Sequence, residues 1–254
     1  MTPLSVIVIT RNEERNIAAC LESVQWADEI VVVDAESSDT TVTLARQFTQ
    51  SIFIEPWKSF SEAKTFAVEK SHHKWILWLD ADERVTQELG AEIQSLMGSS
   101  PSKAAYSVAR RAYFLGRWMK HSGWYPGRVV RLFRKDSDSF TTSAVHEGLV
   151  VRGTIGELHH DLLHFTDPNL RHYLEKFNRY TTLASEELFK AGRPFRLVDL
   201  LIRPPWLFLR MYCFRLGFLD GIPGLILAVL SSAYVFTKYA KLWEIWNSDS
   251  SRNR

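Results

Sequence analysis

The sequence predicts an α/β protein: a mostly parallel sheet flanked by helices, followed by a helical C-terminal extension. Three short apolar runs in the first hundred residues, Leu4–Ile9, Ile30–Val33 and Trp75–Leu79, are each followed by apolar residues at helical spacing. Alternation of that kind builds parallel strands joined by helical crossovers, with ligands at the carboxyl ends of the strands. Beyond Arg203 the composition shifts to apolar stretches flanked by basic and aromatic residues, which sets a second region apart.

Leu4–Ile9 is a continuous β-branched run, the mark of a strand covered on both faces. Ile17, Cys20, Leu21 and Val24 trace a helix with Glu13 and Glu14 in its first turn, where the helix dipole favours carboxylates. The run Ile30–Val33 stops at Asp34, and Asp39 is placed to cap a helix carrying Val42, Ala45 and Phe48. Ser59 with Glu62 fits a capping box ahead of Ala63, Phe66 and Ala67. Trp75–Leu79 closes on Asp80, and Leu89, Ile93 and Leu96 mark the next helix. Residues 104–110 and 128–134 then read as strands around a loop with Gly116, Gly123, Pro126 and Gly127, an antiparallel extension of the sheet. Asp167 and Pro168 form an N-cap and first-turn pair for a long helix through Leu170, Phe177 and Leu188.

The 254 residues, 46% hydrophobic and 24% charged, are enough for a sizeable core. Lys and Arg total 31 against 29 Asp and Glu, too even a balance for a protein that grips nucleic acid by bulk charge. Cys20 and Cys213 have neither disulfide-framework nor metal-ligand spacing and read as buried thiols in a reducing compartment. The N-terminus lacks a basic region before its apolar run, so the expected location is the cytoplasm.

Two features suggest anionic partners. Between Ser102 and Lys135 there are nine Lys or Arg and no acid, either a solvated face or a surface for an anion. Ile222–Phe236 is uncharged but contains Pro223 and Gly224 and is shorter than the roughly 20 apolar residues of a spanning helix. Arg203, Arg210 and Arg215 precede it, Lys238 and Lys241 follow it, and aromatics fill both flanks. That pattern suits an interfacial helical hairpin on an anionic leaflet; the alternative is a helical pair packed on the domain or on another subunit, giving a homo-oligomer. The resulting division is 1–166, 167–246 and a disordered polar tail, 247–254.

Three strand ends carry the chemistry: Thr10-Arg11-Asn12-Glu13, Asp34 with Asp39, and Asp80-Ala81-Asp82-Glu83. One carboxylate after a strand often only caps the next helix. Asp80 and Asp82, on alternate residues, can in addition give oxygen ligands to a divalent ion that also holds diphosphate oxygens. No G-x-G-x-x-G follows the first strand, and no G-x-x-x-x-G-K-[ST] or G-x-S-x-G occurs, so dinucleotide enzymes, P-loop NTPases and the serine-elbow hydrolases lack support. Phosphate charge would then fall to a metal and basic side chains.

The segments S-V-I-V-I-T-R-N-E-E, V-V-V-D-A-E-S-S-D-T-T and W-I-L-W-L-D-A-D-E closely resemble the family-2 glycosyltransferases of the Rossmann-like GT-A fold, which are inverting and use nucleotide-sugar donors. W-Y-P-G-R-V-V-R-L-F-R, V-H-E-G-L, L-H-F and F-L-D-G-I-P-G-L-I-L-A are similar to the lipopolysaccharide core β-1,4-glucosyltransferases, which add glucose to an inner-core heptose. The resemblance implies UDP-glucose as donor, a lipid-linked core acceptor at the cytoplasmic face of the inner membrane, and Mg²⁺ or Mn²⁺ as cofactor. By the same resemblance Thr10, Arg11 and Glu13 line the nucleotide pocket and Asp34 faces base or ribose. Asp80 reaches ribose or metal-bound water, Asp82 ligates the metal, and Arg128 and Arg131 contact phosphate. Ala35 stands where many relatives have a second acid, and Gly127 where relatives often have Asp.

Direct displacement with inversion needs a base beside the attacking hydroxyl. Glu147, in His146-Glu147, resembles the family's base; Asp161 and Glu157 are the rivals, and a structural ion pair is the plainer role for Glu147. His146 and His164 would support base or metal. Two other readings stay open: the same fold acting on a polyprenyl-linked glycan or a protein, and a non-catalytic membrane adaptor.

Overall fold

The computed structural model describes residues 2–57, 59–136, 138–140 and 149–252. The chain divides into two compact units, Met1–Arg111 with Gly127–Phe165, and Ala112–Pro126 with Thr166–Arg254.

The first unit begins with β1 (Leu4–Thr10), α1 (Ile17–Glu22), β2 (Glu29–Asp34), α2 (Thr41–Ala45), β3 (Ile52–Ile54), α3 (Phe60–Lys70) and β4 (Trp75–Asp80). It continues with β5 (Glu83–Val85), α4 (Gln87–Gly98), β6 (Ala105–Phe114), β7 (Arg117–Trp118), β8 (Val129–Arg134), β9 (Asp138–Phe140), β10 (Leu149–Val151) and β11 (Ile155–Asp167), β7 and the last residues of β6 and β11 counting with the second unit. The sheet order is β3-β2-β1-β4-β8-β6-β11-β5, with β7 on β6. β1 runs parallel to both β2 and β4, and β8 joins β4 antiparallel, so the parallel core and its antiparallel extension are both as the sequence predicts.

The continuous apolar runs have their cause in the packing. Leu4, Val6 and Val8 of β1 face one side with Val32, Leu77, Ile17, Leu21 and Ile93; Ile7 and Ile9 face the other with Val33, Ile76 and Ala67. A strand sandwiched this way has no solvent face on which to place a polar residue. Leu79, fully buried among the first set, is expected to lower stability by about 2–5 kcal/mol when truncated to Ala, measured as a fall in the urea midpoint at constant slope.

Side-chain caps set the start of three helices. Ser59 and Thr86 accept the backbone N–H groups of Glu62 and Leu89. The long helix α5 (Leu170–Lys190) is capped by Asn169, whose extended backbone lets its side chain accept His172 N at 2.9 Å. This corrects the expected Asp167–Pro168 cap: Asp167 ends β11 and its carboxylate meets the His172 ring and Lys176 instead.

In the second unit, α5 is followed by α6 (Leu197–Leu201), α7 (Arg203–Leu209), a π-helical turn (Arg210–Phe214), a 3₁₀ turn (Gly217–Asp220) and α8 (Gly221–Arg252). Phe114 and Met119 are buried against Met211, Leu227 and Ala228, which is why residues 112–126, assigned from sequence to the first region, belong here. Asp220 is buried and accepts His121 N at 2.9 Å while also bonding the His121 ring. A Cβ on Gly224 would stand 2.1 Å from the Gly217 carbonyl oxygen, so only glycine permits that approach.

Three further expectations are revised. Pro223 lies in the first turn of α8, where no N–H is required, so Ile222–Phe236 becomes part of a 32-residue helix long and apolar enough to cross a membrane. No glycine or proline follows Trp246, and the tail expected to be disordered continues α8 to Arg252. Cys20 is buried, but Cys213 in the π-helical turn is exposed.

Candidate active site

The pairing register places Thr10 opposite Asp34 and Ile9 opposite Asp80, so β2, β1 and β4 end at one level and their following loops emerge side by side. The first two loops are stitched together. Asn12, at φ +54°, donates its N–H to Ser37 Oγ at 2.7 Å and accepts Ser38 N at 2.8 Å. Glu13 N donates to Thr41 Oγ1 at 2.8 Å, and Thr40 Oγ1 donates to Glu14 at 2.9 Å. Asp34 is buried and accepts both Ser37 N at 2.8 Å and Ser37 Oγ at 2.6 Å, an Asx-type turn that fixes its carboxylate. Thr10 Oγ1 is buried without a hydrogen-bond partner, a polar atom of the kind that a ligand satisfies. Arg11 is exposed, and Glu13 is half-buried and accepts Asn16 Nδ2 at 2.8 Å.

At the end of β4 the structure assembles a charge cluster. Arg131, side chain 4% exposed, comes from β8, the antiparallel neighbour of β4. Its Nη2 donates to Asp80 Oδ2 at 2.6 Å and to Glu83 Oε1 at 2.7 Å. Glu83, fully buried at the start of β5, accepts Asp80 N at 3.1 Å through its other oxygen. The Arg131 guanidinium lies 4.0 Å from the Trp78 ring centroid and the Lys64 ammonium 3.9 Å, while Arg110 stands 3.8 Å from Glu83. Burial alone would raise the Asp80 pKa, but Arg131, Lys64 and His164 outweigh it and hold the carboxylate below its ordinary value. Burial pushes the Glu83 carboxyl up, with Arg131 opposing and Asp80 adding. His164 Nε2 is 3.5 Å from Asp82 Oδ2; burial would depress the imidazole, yet Asp82 and Glu83 hold its pKa above the usual range.

The two arginines expected to contact phosphate have protein partners in the structure. Arg131 is bound to the Asp80 and Glu83 carboxylates. Arg128 donates to the Leu158 carbonyl at 2.7 Å and pairs with Glu157 at 3.1 Å, which also engages one rival base. The other rival, Asp161, is buried and pairs with Arg111 at 2.6 Å. His146 and Glu147 lie outside the described residues.

Among the described residues no group of three or more His, Cys, Asp or Glu side chains is arranged to hold a metal by itself. Asp80 and Asp82 nevertheless offer hard oxygens, and Asp80 is 37% exposed. That donor set suits a cation of the Mg²⁺ type, which takes one or two carboxylates and completes its shell with water and substrate phosphate. An open cavity of about 750 Å³ between α4 and β11, lined by Glu92, Tyr106 and His159, contains none of the strand-end carboxylates.

Lys64, Trp78 and Arg110 were not singled out by sequence as site residues, and Glu83 stood only as the last acid of a strand end, with no role of its own. The available signal was the acid-free basic stretch, whose Arg110 and Arg131 sit on sheet strands and meet the acids of D-A-D-E.

Residues 5–152 match the family model for glycosyl transferase family 2. The chain belongs to that family. This glycosyltransferase is 31% identical over 252 residues to the lipopolysaccharide core biosynthesis glycosyltransferase LpsC of Rhizobium meliloti, covering 94% of the chain and 93% of the relative. It is 29% identical to the uncharacterized glycosyltransferase RT0209 of Rickettsia typhi, across the whole chain and 90% of the relative. The fold is GT-A, shared with the mannosyltransferase PcManGT of Pyrobaculum calidifontis, solved with GDP-Man and Mn²⁺. That likeness has a TM-score of 0.55 at 15% identity and covers 94% of this chain and 86% of the other.

Proposed function

We propose that this family-2 glycosyltransferase moves glucose from UDP-glucose to a heptose of the lipopolysaccharide inner core, with inversion, at the cytoplasmic face of the inner membrane. The observation that carries the reading is the buried Arg131–Glu83 pair holding Asp80 at the carboxyl edge of a parallel sheet, with Asp82 two residues on. The likeness to LpsC along nearly its full length supports the class of acceptor. The motifs named in the sequence support the donor and the heptose.

Thr10, Arg11, Glu13 and Asp34 would meet the nucleotide, the free Thr10 hydroxyl gaining a partner when it does. Asp82, with Asp80, would hold Mg²⁺ or Mn²⁺, which when bound offsets charge on the donor diphosphate. Arg131 and Glu83 fix the Asp80 carboxylate so that it need not reorient as charge develops on the leaving group. Glu147 takes the proton of the acceptor hydroxyl as its oxygen attacks the anomeric carbon. The carbon–oxygen bond to the diphosphate breaks on the opposite face, and UDP departs with the electron pair.

The direct test is incubation with UDP-glucose and truncated lipopolysaccharide ending at the inner-core heptose. Its mass is expected to rise by one hexose, and Asp82→Ala is expected to lose that transfer. Transfer to a polyprenyl-linked glycan with none to the heptose acceptor would replace the reading, and full activity in Asp82→Ala would remove the metal role.

A further inference from the structure

Between Leu197 and Val229 thirteen large apolar side chains are exposed, among them Leu197, Leu201, Trp206, Phe214, Phe218 and Ile222. The exposure is extreme for several: Phe214 is 67% and Ile222 74% open. Soluble surfaces scatter such residues singly and do not concentrate them in one segment. Here they belong to helical turns that pack on one another, and the Trp206 and Phe214 rings touch at 5.8 Å.

The same segment is one-sided in charge. Arg193, Arg196, Arg203, Arg210 and Arg215 are accompanied by a single acid before Asp220, Asp199, which is buried and already bonded to Arg203 and Arg193. Arg196, Arg203, Arg210 and Arg215 are exposed among the apolar side chains. Aromatic and aliphatic groups collared by arginine match the boundary of an anionic bilayer, where rings sit at headgroup level and cations meet lipid phosphate.

The contacts of α8 decide the depth. Its apolar stretch is long enough to span, yet α8 packs along α5 and is bonded to it at Tyr234 and Lys241. Tyr234 Oη donates to the Tyr180 carbonyl at 3.2 Å, and Lys241 Nζ bonds the hydroxyls of Thr181 and Thr182 at 2.9 and 2.7 Å. α5 carries Arg171, Glu175, Lys176, Arg179, Glu186, Glu187 and Lys190. A spanning α8 would have to tear away these bonds or draw that charged helix into hydrocarbon, where ionised groups are disfavoured.

We propose that the second unit is a monotopic anchor: the turns from Leu197 to Leu225 dip into the headgroup region of an anionic bilayer, and the rest of α8, beyond Leu225, lies outside the hydrocarbon. The inference rests on the membrane-held acceptor proposed above only for its purpose, since binding is measured without any sugar. The full chain is sedimented with phosphatidylcholine vesicles, with and without phosphatidylglycerol. Binding is expected only with the anionic lipid and is expected to be reversed by high salt. Trp206→Ser with Phe214→Ser, both exposed, is expected to cut partitioning about tenfold or more while circular dichroism stays unchanged, given the apolar area withdrawn. Reversing Arg196 and Arg210 to Glu is expected to weaken binding by a similar or larger factor, since each arginine near the surface contributes roughly fivefold.

Equal binding to neutral vesicles, or binding released only by detergent, overturns the proposal. So does a chain that ignores vesicles but dimerises through Trp206 and Phe214. Transfer to a soluble, delipidated heptose oligosaccharide is expected to persist in the Trp206→Ser, Phe214→Ser protein. Loss of vesicle binding by the unaltered chain alongside intact transfer would sink the anchor alone and leave the enzymatic reading standing.

Discussion

Glu83→Ala is expected to destabilise the protein by about 3–5 kcal/mol, the cost of leaving one member of a buried ion pair uncompensated. Glu83 is fully buried and Arg131 nearly so, and removing the carboxylate strands the guanidinium beside Trp78 with only the more open Asp80 to face it. Adding Arg131→Met is expected to recover most of the loss, because an apolar side chain of similar length has no charge to desolvate. The urea midpoint should fall in the single variant and return in the double, with little change of slope. Transfer activity is expected to stay low in the double variant, since Asp80 then loses the Arg131 hydrogen bond that fixes its carboxylate. A single variant within about 1 kcal/mol of the parent would mean that Asp80 alone compensates Arg131, and the pair would lose its structural role.

The second large effect concerns the proton. Glu147→Gln keeps size and hydrogen-bonding capacity but removes basicity, so turnover is expected to fall by about 10² to 10⁴ with the KM for donor unchanged. Asp161→Asn and Glu157→Gln are expected to leave turnover within a few fold, because the structure commits Asp161 to Arg111 and Glu157 to Arg128. Initial rates at saturating acceptor separate the three. If Asp161→Asn alone stops transfer, the base belongs on β11.

The parallel core was legible because strands buried on both faces have no choice but to be continuously apolar, as Val6, Ile7, Val8 and Ile9 are. The strand-end acids were legible for the same reason, since a carboxylate after such a run must leave the sheet at its edge. The Arg131 role was not, because it follows from which strand lies beside β4, and strand order is a long-range property. The Asn169 cap was hidden by ambiguity: Asp167 and Asn169 can both accept, and only the extended backbone before α5 decides. Pro223 misled as a breaker because its position within the first turn, where it is harmless, depends on where α8 starts. Residues 112–126 carry no mark of their allegiance, which comes from Phe114 and Met119 meeting side chains about a hundred residues further on.

The seams between the loops after β1 and β2 tie the fates of two distant stretches of sequence. Asn12 reads Ser37 and Ser38, Glu13 reads Thr41, and Glu14 reads Asp39 and Thr40. Those two loops therefore hold each other in position, and an insertion in either is expected to break the bonds that place the other. Asn12 gives its backbone N–H to the Ser37 hydroxyl and takes the Ser38 N–H on its own side chain, so loss of either side chain is expected to loosen both stretches at once.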